Sequence, residues 1–259
     1  MLGPYESGKF MRCVGCVSLL FVSSLLPAQL KPDIGRIEVP FVGCASDGQQ
    51  GPVRAPRGKP HHVIGDADSF RDLAYYKARY GFGVLAPRGW YCFGAYGSSG
   101  ESIYVTPRPL SFAEMQASVA SPVGPVVQLD FEYAGSAGRF GIASIIARVF
   151  PERMSFLDRL RKEDLSPSLS FPKGPYRNDE LVHIDQNAVE YESPPESDGL
   201  YSETGLKRSS LPTHGVAILV GLEPDLQLLA VRLPDDLKML APLILQDVER
   251  NRPPAGSKY

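Results

Sequence analysis

The sequence has little of what marks a catalyst. Its 259 residues hold one tryptophan, four cysteines and four histidines. No G-x-S-x-G elbow is present, so the usual frame for a serine nucleophile is missing. No HExxH or H-x-H spacing occurs, and neither the dinucleotide fingerprint nor a P-loop can be found, so no metal or other cofactor is implied. A formal charge of −2 leaves no basic footprint for nucleic acid and no cationic face for anionic lipid. Internal repeats and heptads are absent, which excludes solenoids and coiled coils.

What is abundant is punctuation. The 25 glycines and 24 prolines exceed average usage and predict many turns and short elements. The longest uncharged apolar run is Cys13 to Ala28, preceded by Lys9 and Arg12 and closed by Pro27 and Ala28. It is short for a membrane span, which wants about 20 residues. A basic start, an apolar middle and a closing Ala read as a secretory signal peptide over residues 1–28. Leu26 departs from that pattern, since a small residue is preferred there, and Met11 offers a second start for a more compact signal. An uncleaved anchor and a buried helix are the alternatives. Cleavage would remove Cys13 and Cys16 and leave Cys44 and Cys92. Two cysteines in an exported chain predict one disulfide, with a pair of free thiols as the alternative.

The mature chain reads as α+β, with a mixed, mainly antiparallel sheet, two hairpins and about five helices. Arg36 to Gly43 alternates as a strand, broken or held at an edge by Pro40. Ala45 to Pro60 is expected to be irregular, with a short strand near Val53. Asp66 to Tyr80 reads as a helix, with Ser69 and Asp72 as a capping box and Gly81 as the stop. Phe82 to Ala86, Trp90 to Tyr96 and Ser102 to Thr106 are expected strands, the last two a hairpin around Gly97-Ser98-Ser99-Gly100. Further helices are expected over Ser111 to Ser118, Ala137 to Phe150, Arg153 to Asp164 and Asp235 to Glu249. The second and last of these are a buried segment and an amphipathic one. Val126 to Tyr133 alternates as a strand, Glu180 to Tyr191 as one or two, and Gly215 to Gly221 with Leu226 to Leu233 as a second hairpin. Glu192 to Ser210 is expected to be a mobile loop. Residues 29–165 form an N-terminal region and 166–250 a C-terminal one packed on it as one unit, with the Pro- and Gly-rich Ser166 to Asn178 at the boundary. Residues 251–259 read as a disordered tail.

Several constellations suggest chemistry and are each outweighed by a plainer role. Gly135 to Gly141 has G-x-x-G-x-x-G spacing at a helix start, where amides can hold an anion, but a tight turn with close packing accounts for it. Ser98 and Ser99 lie in a hairpin turn. His61 and His62 are adjacent, so they point apart in an extended chain, and His183 with Asp185 makes only half a metal site. Asp179 to Glu203 holds eight acids and no Lys or Arg, and Asp185, Asn187 and Glu190 make a loose calcium set without the calcium-loop pattern. Arg88, Trp90 and Tyr91 are the remaining ligand-binding candidates, by stacking and hydrogen bonding to a sugar, peptide or envelope fragment. Trp90 shares a strand face with Cys92, which favours a core role for it.

The stretches VPFVGCASDGQQGP and LAPRGWYCFGAYGS resemble a group of uncharacterised exported bacterial proteins with VPFxGCxSDGQxGP and APRGWxCFGxYGS motifs. The resemblance covers about Val39 to Pro107. It implies export and supports pairing of Cys44 with Cys92, and it carries no activity over. The expected function is therefore a non-catalytic binding or interaction protein, periplasmic or secreted. Its partner would be an unknown envelope or extracellular ligand or protein, with no nucleic acid and no membrane attachment after signal cleavage. The alternative is an envelope hydrolase of peptide, ester or glycan bonds.

Overall fold

Pro40 divides the first extended segment in two. Lacking an amide hydrogen, it cannot continue a ladder, and β1 (Gly35–Val39) and β2 (Phe41–Gly43) accordingly join different sheets. The structure, a computed structural model, describes residues 35–110, 123–163 and 170–252. The signal segment, the expected helix at Ser111 to Ser118 and all but the first two residues of the expected tail lie outside them. The described residues belong to one compact unit.

The strands β3 (Ala45–Gly48), β4 (His61–Gly65), β5 (Leu73–Lys77), β6 (Val84–Pro87), β7 (Tyr91–Tyr96), β8 (Gly100–Thr106) and β9 (Val126–Glu132) follow in the first half. The second half adds β10 (Glu180–Asp185), β11 (Ala188–Ser193), β12 (Thr213–Val220) and β13 (Asp225–Arg232). Eight strands form the main sheet in the order β10-β11-β12-β13-β9-β8-β7-β3. Every pairing in it is antiparallel except that of β3 with β7. A three-stranded sheet, β2-β5-β6, and the pair β1-β4 complete the strands. The fold is thus α+β with antiparallel pairing dominant, as expected. The main sheet is larger than two hairpins, because β9 joins β8 of one to β13 of the other and runs the sheet across the expected boundary.

Four α-helices lie among the described residues, the fifth expected one falling outside them: α1 (Ala67–Phe70), α2 (Arg139–Val149), α3 (Ser155–Glu163) and α4 (Ala241–Arg250). None is long and apolar enough to cross a membrane. The helix expected over Asp66 to Tyr80 is a correction. Only one turn forms, capped by Asp66, whose carboxylate accepts from the Ser69 amide at 2.9 Å. The chain then extends as β5, the middle strand of its sheet. The stretch Leu73-Ala74-Tyr75-Tyr76-Lys77 is buried or half-buried at every position. Two-sided burial between partner strands overrides a helical spacing, and Tyr76 is fixed by donating its hydroxyl to the Pro87 carbonyl at 2.7 Å. Glu192 to Ser210 is a second correction. It carries a 3-10 turn, Leu200–Thr204, whose Leu200 and Tyr201 are buried. Burying two large side chains favours order in that turn by a few kcal/mol.

The main sheet has a core on each face. One face packs α2, α3 and the 3-10 turn through Val126, Ile142, Ile146, Leu157, Leu200 and Leu228. The other packs the small sheet and α4 through Val127, Leu129, Tyr76, Leu85, Val216 and Ile244. The apolar sequence of α2 is explained by its place: six of its eleven residues are buried. β9, β12 and β13 are therefore buried on both faces, and β9 brings three polar side chains into that interior.

Candidate functional site

A disulfide joins Cys44 to Cys92 across 48 residues of chain. It sits at the start of the parallel β3–β7 pairing, in which Ala45 lies beside Phe93 and Gly48 beside Tyr96. The two stretches singled out in the sequence thus run side by side. Their far ends meet at the hairpin tip. There Tyr96 donates its hydroxyl to the Gly51 carbonyl at 2.6 Å, and Gln49 Nε2 donates to Ser98 Oγ at 3.2 Å. Gly97 closes the turn onto Gly100 at 2.8 Å. Gly48 is required by close approach, since a Cβ there would lie 2.0 Å from the Tyr96 carbonyl oxygen.

This tip forms one wall of an open cleft of about 450 Å³. Gly48, Gln49, Tyr96 and Gly97 line the wall; Ser102 of β8 with Asp130 and Glu132 of β9 line the floor; Glu203 and Thr204 of the 3-10 turn stand opposite. Gln128, Asp130 and Glu132 alternate along β9 and share a face. Ser102 lies directly across from Asp130. Gln128 is fully buried and donates to both Asp130 oxygens at 2.9 and 3.0 Å and to the Thr204 carbonyl at 3.1 Å.

The floor carboxyls are strained electrically. Burial pushes Asp130 up to about 6, against hydrogen bonds from Ser102 and Gln128 that favour its anion. Burial, then the charges of Asp130 and Glu203, push Glu132 up to about 7, with the Ile142 amide pulling the other way. Glu203 has its own partners: Arg148 Nε, Ser144 Oγ and the Tyr176 hydroxyl, each at 2.8 Å. At the rim, Glu101 accepts from the Tyr133 hydroxyl and is raised by burial. Two neighbouring carboxyls of unequal basicity can hold a cation or share acid and base roles.

The sequence-derived ligand residues lie elsewhere. Tyr91 and Trp90 are at the opposite end of β7 from the cleft, and being adjacent they point apart. Trp90 is half-buried against the core that includes Cys44, while Tyr91 is 53% exposed. Arg88 directs its Nε and Nη2 to the Leu73 carbonyl at 3.4 and 3.3 Å. His61 pairs with Asp247 at 3.2 Å and stacks on Tyr75, whereas His62 faces Glu38 at 3.8 Å. Asp185 is taken by Arg252 at 2.7 Å and by the Asn187 amide. No group of three or more His, Cys, Asp or Glu among the described residues is placed to hold a metal ion. The glycine-rich start of α2 packs tightly: a Cβ at Gly138 would lie 2.3 Å from the Ser99 carbonyl oxygen. The chain's own Glu132 packs against that start: a Cβ at Gly141 would lie 2.1 Å from its Oε2.

Sequence reasoning missed Gln128, Asp130, Glu132 and Glu203. The available signal was the alternation VVQLDFEY, which puts three polar residues on one strand face. Such a face ordinarily meets water, and nothing local shows that β9 is covered on both sides. Compared with protein-family models, with curated proteins and with solved structures, the chain matches none.

Proposed function

We propose that this is an exported protein of the bacterial envelope or exterior that binds a small polar ligand, without catalysis, in the cleft between the hairpin tip, β9 and the 3-10 turn. The supporting observation is the convergence at this one place. The disulfide-tied β3 and β7, the buried polar stripe of β9 and the Glu203–Thr204 turn all border a single opening of ligand size, about 450 Å³. The disulfide is consistent with an oxidising compartment, periplasmic or secreted. A second reading, an envelope hydrolase, is favoured by one specific feature: Asp130 and Glu132 are adjacent on one strand face and raised to different degrees. That is the arrangement from which a general acid and its partner base are made.

Gly97→Trp separates a working cleft from an incidental one. A Cβ at Gly97 meets only the Gln49 side chain, at 3.7 Å, so the larger residue should fold and fill the opening. Thermal-shift and ligand-observed NMR screening of polar metabolites and envelope oligosaccharides should give hits with the parent protein that vanish in Gly97→Trp. Hits unaffected by that change would refute the cleft as the binding site. Turnover of a peptide, ester or glycan probe, abolished by Glu132→Gln, would replace binding with hydrolysis.

A further inference from the structure

Away from the cleft, one end of the main sheet is covered on a single face. β10 is its last strand and, among the described residues, pairs with β11 alone. On one face of β10, Leu181 packs against the core that holds α2. On the other, α4 packs mainly on β6, β12 and β13. Val182 is left 61% exposed there, and Ile184, at the irregularity before Asp185, is 42% exposed. Alongside runs a groove of about 480 Å³, with Glu190 and His214 as its floor and Pro242, Leu245 and Gln246 of α4 as one bank. Val182 lies directly across from Glu190 and continues that floor. Exposed apolar side chains beside a groove mark an interaction face.

The same face sets like charges against each other. Glu180 lies directly across from Glu192. Glu190 is close enough to Glu249 of α4 to add to the burial that pushes Glu249 up to about 7, with Arg252 and Arg250 pulling the other way. Like charges placed directly opposite destabilise a strand pair, so this arrangement works against the isolated fold. The basic groups beside these acids are His214, 3.4 Å from Glu192, Arg252, 2.7 Å from Asp185, and Lys238, 3.9 Å from Asp235. The balance among these groups is acidic. We propose that this face docks a segment of a partner protein in which Lys or Arg alternates with apolar residues. Its cations meet Glu180, Glu190 and Glu192, and its apolar side chains cover Val182 and Pro242. A second copy docked through the same face would bring acid against acid. A free polyamine would leave the apolar bank uncovered.

The test titrates purified protein with three capped peptides, (Lys-Val)3, (Glu-Val)3 and (Lys-Ser)3, and follows amide NMR shifts. The Lys-Val peptide should move Leu181, Val182, Glu190 and His214 and leave Gly48 and Gly97 of the cleft in place. The Glu-Val peptide should move none of them. The Lys-Ser peptide, lacking apolar side chains, should bind roughly tenfold more weakly. Glu180→Gln with Glu190→Gln removes one member of each like-charge pair and keeps Glu192 with His214. That double variant should lose about tenfold in affinity for the Lys-Val peptide and melt no lower than the parent protein. A lower melting temperature would assign these acids to the fold and overturn the proposal. Equal binding of the Lys-Ser and Lys-Val peptides, or no shift at β10 with either, would overturn it too. So would self-association in sedimentation that Val182→Lys abolishes, since the occupant would then be a second copy.

Discussion

Asp130 and Glu132 are ordinary acids placed where water is scarce, and the consequence can be measured without a ligand. Their folded-state values, about 6 and about 7, lie above the usual 3.8 and 4.5. The unfolded chain holds its protons less tightly, so the stability these groups contribute is fully present below about pH 4 and lost as pH rises through 6 and then 7. The unliganded protein should therefore melt at a lower temperature at pH 8 than at pH 5, as far as this pair is concerned. Glu132→Gln should recover on the order of 2 kcal/mol at pH 8 and almost nothing at pH 4, as read by denaturant melts at the two pH values. An equal effect at both would mean that Glu132 acts through packing against Gly141 and not through its charge.

Among the elements, β3 is the most dependent on outside support. It is a four-residue edge strand, paired along its length with β7 and bridged on its other side by Ser46 to Val53, after a glycine-bearing return. The disulfide closes its loop in the unfolded state, and a loop of this length is worth about 4 kcal/mol in the chain-entropy model. Replacing Cys44 and Cys92 together by Ala should lower the unfolding free energy by up to that amount. It should also raise hydrogen exchange first at Ala45 to Gly48, which would loosen the cleft wall. On the other side of the sheet, α4 is anchored by Ile244, which is fully buried. Ile244→Ala should cost about 2–5 kcal/mol in a urea titration, through the core opposite the cleft and with little effect on the cleft amides.

Over the whole molecule, the continuous eight-stranded sheet makes the two sequence halves interdependent. β9 from the first half is clamped between β8 and β13, and helices and strands from both halves share each core. One cooperative transition is expected in urea, with the fluorescence of Trp90 and far-UV circular dichroism coincident; two separated transitions would show that the halves unfold independently. Much of this architecture was legible locally. Pro40 ended a strand, Gly97 to Gly100 turned a hairpin, the apolar run before Pro151 formed a buried helix, and Cys44 paired with Cys92. Asp66 to Tyr80 was misread because its spacing fits a helix while its burial, supplied by β2 and β6, fits a strand. Local pattern thus determined which segments extend, turn or hide. Only tertiary structure decided that Gln128, Asp130 and Glu132 face the interior. Side-chain alternation names the face of a strand, whereas what covers that face comes from residues far away in sequence, here α2 and the turn bearing Glu203. That remote cover, by removing water, turns three unremarkable polar residues into a candidate site.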